Sequence, residues 1–332
     1  MLDSNLHAKI IQSLSEKLRA YYVFPKVAEK ICESLKEHLD TGDYIDITEG
    51  EFFAYALTTH MQEICRDEHL WVRWHSEPLP DDEETLRLSE VWRKEQQLQA
   101  KIDNYGFHKV ERMAGNVGYM EIRNFHHPSW GGHIAVAAMT LLANADALII
   151  DLRKCTGGYP GMVSLISSYL LEEEPVHLNS IYWRDDDATQ QYWTLPYVPG
   201  PRLNEKPLYI LISKKTFSGG EGFAYDMQAR KRAVIIGEQT DGGAHPGASY
   251  RLHPHFEVFI PIGLPTHPLT GKNWEGVGVT PDIPVSVELA LEKAHKMALE
   301  AIIEKLGRPK SEPLRLLLAE ARVAYKELGN GQ

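Results

Sequence analysis

The chain has 332 residues, of which 43% are hydrophobic, and this is enough for a large core together with an accessory domain. Its formal net charge of -11 argues against nucleic acid as a partner, because phosphate neutralisation requires clustered lysine and arginine. No apolar run approaches a membrane span, and three cysteines without close pairing do not read as a disulfide framework.

The first part of the chain predicts a small helical bundle. Apolar residues recur at helical spacing in three segments, residues 6–20, 26–39 and 52–65. We therefore predict an N-terminal helical bundle over residues 1–70. Residues 71–114, which begin with a polar and acidic stretch at 78–84 and continue into a partial helix toward Ile102, are predicted to form a linker.

From Gly115 to Gly237 strands and helices alternate, which is typical of an α/β core with crossover connections. A β-rich segment follows over residues 248–262, and two helices close the chain near 287–306 and 314–328. The core is accordingly predicted at residues 115–290, followed by C-terminal helices over 291–332.

One strand of this core leads into a glycine turn. Residues 147–150 are a continuous apolar run bounded by Asp146 and Asp151, and the turn that follows carries Gly157 and Gly158 before an apolar helix. Paired glycines can bring bare backbone N–H groups close to a bound carbonyl, although an ordinary strand-to-helix turn would look the same. Cys155 lies in this loop, where we expect a thiol exposed near the cleft.

A second strand, residues 207–213, stops just before Ser218, and a helix begins behind that serine. The hydroxyl is therefore predicted at a helix N-terminus, where free N–H groups favour developing negative charge. This position suits an acyl-transfer nucleophile. It also suits a simple helix cap, because Glu221 completes a Ser-x-x-Glu capping box.

Between these two strands lies an aromatic and acidic insert, residues 182–194. It predicts a hairpin or flap, either packed on its own aromatic side chains or acting as a lid over a cleft. Its acidic residues favour peptides with basic side chains as ligands.

Four segments then occur in the order seen in the tail-specific, or C-terminal processing, serine proteases. They are residues 151–158, 216–221, 234–243 and 276–282. The chain resembles most closely the branch that contains the tricorn protease core and the bacterial relatives of interphotoreceptor retinoid-binding protein. The resemblance is strong over residues 115–290 and weaker through residues 21–25 and 67–69. It implies a crotonase-like or ClpP-like β/α superhelical core behind an N-terminal helical bundle.

The resemblance also implies roles for the turn residues. Ser218 would be the nucleophile, Gly219 would supply one oxyanion N–H, and Gly157 or Gly158 would supply the other. The lysine base of one branch of the family is missing, since its position falls on Gly243.

The other branch uses a histidine from the early part of the core. His69 matches that position and is our first choice for the general base, with Glu275 in support. The hydroxyl residue expected beside the histidine is here Glu68. His245, on a glycine loop, is the rival base and is otherwise predicted as a substrate contact.

Gly243 and Thr216 join His245 as predicted substrate-binding positions. No spacing of potential ligand residues in the sequence is typical of a metal-binding motif, so we predict neither a metal nor another cofactor.

These features predict a serine peptidase that acts on a peptide or protein substrate. The alternatives are a non-catalytic protein that binds an apolar ligand in the same cleft and, less favoured, an acyl-CoA enzyme of the crotonase type. The sequence leaves open whether the chain forms a homo-oligomer. The first residues carry no signal peptide, which predicts a cytoplasmic protein, or a periplasmic or secreted one if such a peptide has been removed.

Overall fold

The computed structural model describes residues 2–79 and 90–329. The helices of this part are α1 Ser4–Tyr21, α2 Pro25–Thr41, α3 Gly50–Cys65, α4 Glu90–Ile102, α5 Pro128–Leu141, α6 Pro160–Leu170, α7 Gly219–Ala229, α8 Ala290–Leu306 and α9 Glu312–Gly329. The strands are β1 Trp71–Trp74, β2 Phe107–Met113, β3 Val117–Ile122, β4 Ala147–Asp151, β5 His177–Trp183, β6 Ala188–Trp193, β7 Leu208–Ile212, β8 Val234–Gly237, β9 Gly247–His253, β10 Phe256–Pro261, β11 Gly263–Thr266 and β12 Ile283–Pro284.

The chain divides into two compact units. The first, here called the bundle unit, comprises residues 1–98, 180–190 and 245–266, and the second, the core unit, comprises residues 99–179, 191–244 and 267–332. In the described residues no helix has both the length and the apolar character that crossing a membrane requires.

The bundle unit is built on α1, α2 and α3, as the apolar spacing predicts. Asp3 caps α1 by accepting the N–H of Leu6 at 2.8 Å, and Gly42 ends α2 in the left-handed conformation. The helices bury one apolar face against a three-stranded antiparallel sheet of order β1-β10-β9. Val72, Val258 and Tyr250 lie side by side in this sheet and face the helices.

The core unit contains a six-stranded sheet of order β12-β8-β7-β4-β3-β2, in which only the β2–β3 pair is antiparallel. Helices α5, α6 and α7 cover one face, and α8 and α9 cover the other. Strands β4 and β7 are buried at every position because both faces are covered, and this explains their continuous apolar sequences. The predicted α/β core with N-terminal helices is confirmed.

Two strands lie inside the segment predicted as a linker. β1 begins two residues after His69, and β2 forms a hairpin with β3 through Gly115 and Asn116, both at positive φ. The sequence did not reveal β1 because its partner strand lies about 185 residues later in the chain. The partial helix is confirmed as α4, and residues 80–84 of the acidic stretch lie outside the described residues.

The insert at residues 182–194 contains the end of β5 and all of β6, in a three-stranded sheet of order β11-β5-β6. The predicted hairpin is confirmed. Within the bundle unit, Leu264 of β11 pairs with Tyr182 of β5.

Cys155 is fully buried, contrary to the exposed thiol predicted from its loop. Its Sγ lies 3.1 Å from the position that a Cβ on Gly220 would occupy, which places it under the first turn of α7. Burial raises the pKa of this thiol to about 12. Cys155 is therefore a packing residue with little thiolate character.

Candidate active site

Two turns of the core unit meet at one edge of the parallel sheet. β4 and β7 are paired neighbours, so their carboxyl ends, which lead to Gly157 and to Ser218, lie next to each other. A Cβ on Gly157 would lie 2.7 Å from Cβ of Ser218 and 2.9 Å from the N of Gly219. With φ at +103° as well, this position accepts only glycine without displacing the serine turn.

Two backbone N–H groups lie beside the serine. A Cβ on Gly219 would lie 3.2 Å from the N and 2.8 Å from the O of Gly158, so these two backbones are in contact. In the described part of the chain, neither the N–H of Gly158 nor that of Gly219 donates a hydrogen bond. Gly219 is also the first residue of α7, whose dipole favours negative charge at this end. The pair has the composition of an oxyanion site.

Ser218 is held in an unusual backbone conformation, with φ 52° and ψ -120°. A residue with a side chain reaches this region at a cost of about 1–3 kcal/mol, and such strain is concentrated at functional sites. The side chain is half-buried and is not sealed in the core. The backbone N–H of Ser218 donates to Oε2 of Glu221 at 2.8 Å, as the capping box predicts.

Glu221 does more than cap its helix. Its Oε1 accepts from the Thr240 hydroxyl at 2.5 Å and from the N–H of Gly242 at 2.9 Å, and its Oε2 also accepts from the N–H of Gly243 at 3.0 Å. The carboxylate is fully buried. Burial raises its pKa to about 7, against the effect of the four donated hydrogen bonds. The sequence revealed only the local cap, because the other donors come from a loop about 20 residues away.

Two residues that were predicted to contact substrate, Thr216 and Gly243, make hydrogen bonds within the core unit. Thr216 is fully buried, and its hydroxyl donates to the carbonyl of Leu152 at 2.8 Å and accepts from the N–H of Ser213 at 2.9 Å. Gly243 donates its N–H to Glu221, and its carbonyl accepts from the indole of Trp274 at 2.9 Å. These groups hold the turns in place, and the side chain of Thr216 is not available to a substrate.

Glu275 lies on a loop that makes hydrogen bonds with residues 242–244. Its Oε2 accepts from the N–H of Ala244 at 2.6 Å, and its own N–H donates to Oδ1 of Asn273 at 3.0 Å. The next residue, Gly276, donates to the carbonyl of Gly242 at 2.7 Å. Glu275 is thus fixed by the loop that also supplies two donors to Glu221.

In the bundle unit, both candidate general bases, His69 and His245, contact the carboxylate of Asp67. Oδ1 of Asp67 accepts the backbone N–H of His69 at 3.1 Å, and Oδ2 lies 2.9 Å from Nδ1 of His245 and 3.3 Å from the hydroxyl of Tyr22. All three of the residues Asp67, His69 and His245 are buried. Our sequence interpretation used Asp67 only as part of the family resemblance at residues 67–69 and assigned it no role in the site.

The pKa of His69 is lowered to about 4, mainly by burial, with a contribution from the neighbouring His245, while Asp67 opposes the shift. The imidazole is therefore neutral at pH 7, which is the state that a general base requires. His245, with Nδ1 facing the carboxylate, has the orientation in which Nε2 is the basic atom.

Two family models match the chain. Residues 116–285 match the model of peptidase family S41, and residues 4–109 match the N-terminal domain found with that peptidase in eukaryotic interphotoreceptor retinoid-binding protein. The chain belongs to peptidase family S41. Membership in this family confirms the resemblance carried by the four ordered motifs, and the second match confirms the retinoid-binding-protein branch.

Curated relatives of this S41 chain include a tail-specific protease of Haemophilus influenzae, which is 36% identical over 104 residues that cover 30% of this chain and 13% of that protein. The carboxy-terminal-processing protease of Bartonella bacilliformis is 26% identical over 183 residues, which cover 54% and 41% of the two proteins. The S41 chain thus spans less than half the length of these relatives.

Solved structures share the fold. A lipoprotein from Streptococcus agalactiae aligns with a TM-score of 0.56 at 14% identity, over 91% of this chain and 98% of that one. The tricorn protease aligns with a TM-score of 0.54 at 13% identity, over 90% of this chain and 37% of that one. At these identities the likeness concerns the fold alone.

Proposed function

We propose that this protein is a serine peptidase in which Ser218 is the nucleophile. The observation that carries the proposal is the pair of N–H groups, on Gly158 and Gly219, beside a serine in a strained turn at the start of α7. A structural cap alone requires neither the second glycine turn nor the strain. The names of the curated relatives support a peptide or protein as the substrate.

In the proposed reaction, His69 removes the proton from Oγ of Ser218 while Oγ attacks the carbonyl carbon of the scissile peptide bond. The oxyanion that forms accepts hydrogen bonds from the N–H groups of Gly158 and Gly219. The C–N bond then breaks, the amine leaves with the proton carried by the imidazole, and an acyl-enzyme remains. A water molecule, deprotonated by the same imidazole, hydrolyses this ester.

Supporting roles follow from the contacts within each unit. Glu275 is proposed to stabilise the charged imidazole, and Asp67 to position the two histidines through its two oxygens. His245 remains the alternative base. The formation of a homo-oligomer and the cellular location of the protein remain predictions from the sequence.

The first test is covalent labelling of the protein with a fluorophosphonate probe. We expect one phosphonyl group per chain, and peptide mapping by mass spectrometry should place it on Ser218. The variant Ser129→Ala, which changes an exposed serine of the same unit, should label like the wild type. Label on another residue would contradict the assignment of Ser218, and absence of label would favour a non-catalytic ligand-binding protein.

The pH dependence tests the base. A base must be deprotonated to act, and the pKa of His69 is lowered to about 4, so kcat/KM should stay constant from pH 8 down to about pH 5 and fall only below that. An acid limb between pH 6 and 7 that persists in Glu221→Gln, which lacks the carboxyl group with a pKa of about 7, would contradict His69 as the base.

Folding must be followed in the same samples. Because the pKa of His69 is lower in the folded protein than its ordinary value of 6.5, the unfolded state binds more protons between pH 6.5 and pH 4. This group therefore makes the folded state less stable as the pH falls through that range. Circular dichroism at each pH separates loss of structure from protonation of the base.

A further inference from the structure

The sheet of the bundle unit has a second face, which does not pack on the helices. Strand register places Trp71 beside Phe259 and Arg73 beside Glu257, and alternation along the strands puts all four on the face opposite Val72 and Val258. A cleft of about 570 Å³ opens on this face and is lined by these four residues. We call it the sheet-face pocket. Its volume is in the range of small-molecule and side-chain sites.

A buried carboxylate forms part of the pocket lining. Only 7% of the Glu257 side chain is exposed. Its Oε2 accepts from Nε2 of His75 at 2.7 Å, and its Oε1 accepts from the hydroxyl of Ser249 at 2.5 Å. Each carboxylate oxygen can accept a further hydrogen bond, so these contacts orient the group without exhausting it.

Aromatic rings form a wall of the pocket. Trp71 and Phe259 are stacked, with ring centroids 5.4 Å apart and planes 18° apart. Both rings are partly exposed, and the alkyl stem of a long charged side chain can pack along the apolar surface that they leave open. The ring centroid of Phe259 lies 6.0 Å from that of His69, so this wall borders the proposed base.

The rim of the pocket carries more negative than positive charge. Among the described residues that line it, Glu77 and Glu95 are exposed, and Arg73, whose guanidinium lies 4.4 Å from the ring centroid of Trp71, is the one arginine. With Glu257, three carboxylates therefore face one guanidinium. The potential of such a site favours a cationic ligand.

We propose that the sheet-face pocket is a specificity subsite that binds a basic side chain, lysine or arginine, of a peptide substrate. The stem lies against Trp71 and Phe259, and the cationic end is attracted by Glu257 and by the rim. This inference rests on the proposed peptidase function and adds the substrate class to it. An apolar side chain would use the same wall but would gain nothing from the carboxylates.

Binding to the full-length Ser218→Ala protein tests the proposal without turnover. Three fluorescent nine-residue peptides of glycine, serine and alanine are compared by anisotropy, with arginine, its neutral isostere citrulline, or norleucine at the central position. We expect the arginine peptide to bind about tenfold more tightly than the citrulline peptide at low salt, and the ratio to shrink at high salt.

Variants that remove either negative or positive charge from the pocket make the test more specific. The double variant Glu77→Gln/Glu95→Gln changes only exposed groups and should lower the arginine-to-citrulline ratio to about threefold or less, whereas Arg73→Gln should raise it. Glu257→Gln should also lower the ratio. The matched control Glu33→Gln/Glu37→Gln, which removes two exposed carboxylates from α2, should leave it unchanged.

The outcomes separate this proposal from the peptidase assignment. Equal binding of the arginine and citrulline peptides, tighter binding of the norleucine peptide, or no binding of any peptide would overturn the basic subsite, even if the fluorophosphonate labels Ser218. A ratio that the control variant lowers as much as the rim variant would overturn it too. An arginine preference that depends on the rim in a protein whose Ser218 does not label would support the subsite and overturn the peptidase.

Discussion

Replacing Ser218 by alanine or by glycine is expected to lower kcat/KM about 10⁴-fold or more, because the nucleophile is lost and only binding and the oxyanion site remain. The two variants should differ in stability. The φ of 52° and ψ of -120° at this position are unfavourable for alanine and readily adopted by glycine. After the entropic cost of glycine is subtracted, we expect the glycine variant to be about 1 kcal/mol more stable than the alanine variant.

Chemical denaturation of both variants measures this difference. Ser129 provides the matched control, because it lies in the first turn of α5 with helical geometry. There the order should be reversed, with alanine more stable than glycine by about 0.5–1 kcal/mol. If alanine were also the more stable residue at position 218, the serine turn would not be strained. If Ser218→Ala kept its activity, the serine would not be the nucleophile.

The sequence predicted the parts of this site that local pattern specifies. Buried parallel strands such as β4 and β7 read as apolar runs, and the glycines behind them mark turns, so the two turns and their order along the chain could be inferred. Pairing of β4 with β7 then brings the turns together. The helix-capping contact of Glu221 with Ser218 spans three residues and was equally accessible.

Contacts between distant residues could not be inferred in the same way. Asp67 and His245 are 178 residues apart, and nothing in either local sequence identifies the other as its partner. Thr216 was predicted to contact substrate, but its hydroxyl donates to a carbonyl 64 residues away and is buried. The identity of a residue shows which hydrogen bonds it can make, and only tertiary packing selects among them.

Glu221 offers the second large effect, because every group around its carboxylate is a donor. Thr240 accepts the N–H of Val279 at 2.7 Å, so its own hydroxyl proton is directed to Glu221. In Glu221→Gln one oxygen becomes an NH₂ group, which accepts nothing. Whichever way the amide is turned, two of the four donors lose their acceptor inside the core.

We expect Glu221→Gln to lower the free energy of unfolding by about 3 kcal/mol, the scale of two buried unsatisfied donors. We also expect kcat/KM to fall about 100-fold or more, since Ser218 loses the contact that fixes its backbone N–H and small displacements of a nucleophile are costly. Denaturation and peptidase assays measure the two effects. Glu238→Gln is the control, because Glu238 lies near the same loop and its carboxylate makes no hydrogen bond in the described residues.

Each oxygen of the ionised carboxylate has two lone pairs, one for each of the two donors that it faces, and the amide replaces one of these oxygens by a group that has none. If Glu221→Gln unfolded like the wild type and retained its activity, the four contacts would not hold the serine turn. If it lost stability but kept kcat/KM, the strained conformation of Ser218 would be maintained by the packing of Gly157 and Gly158 instead.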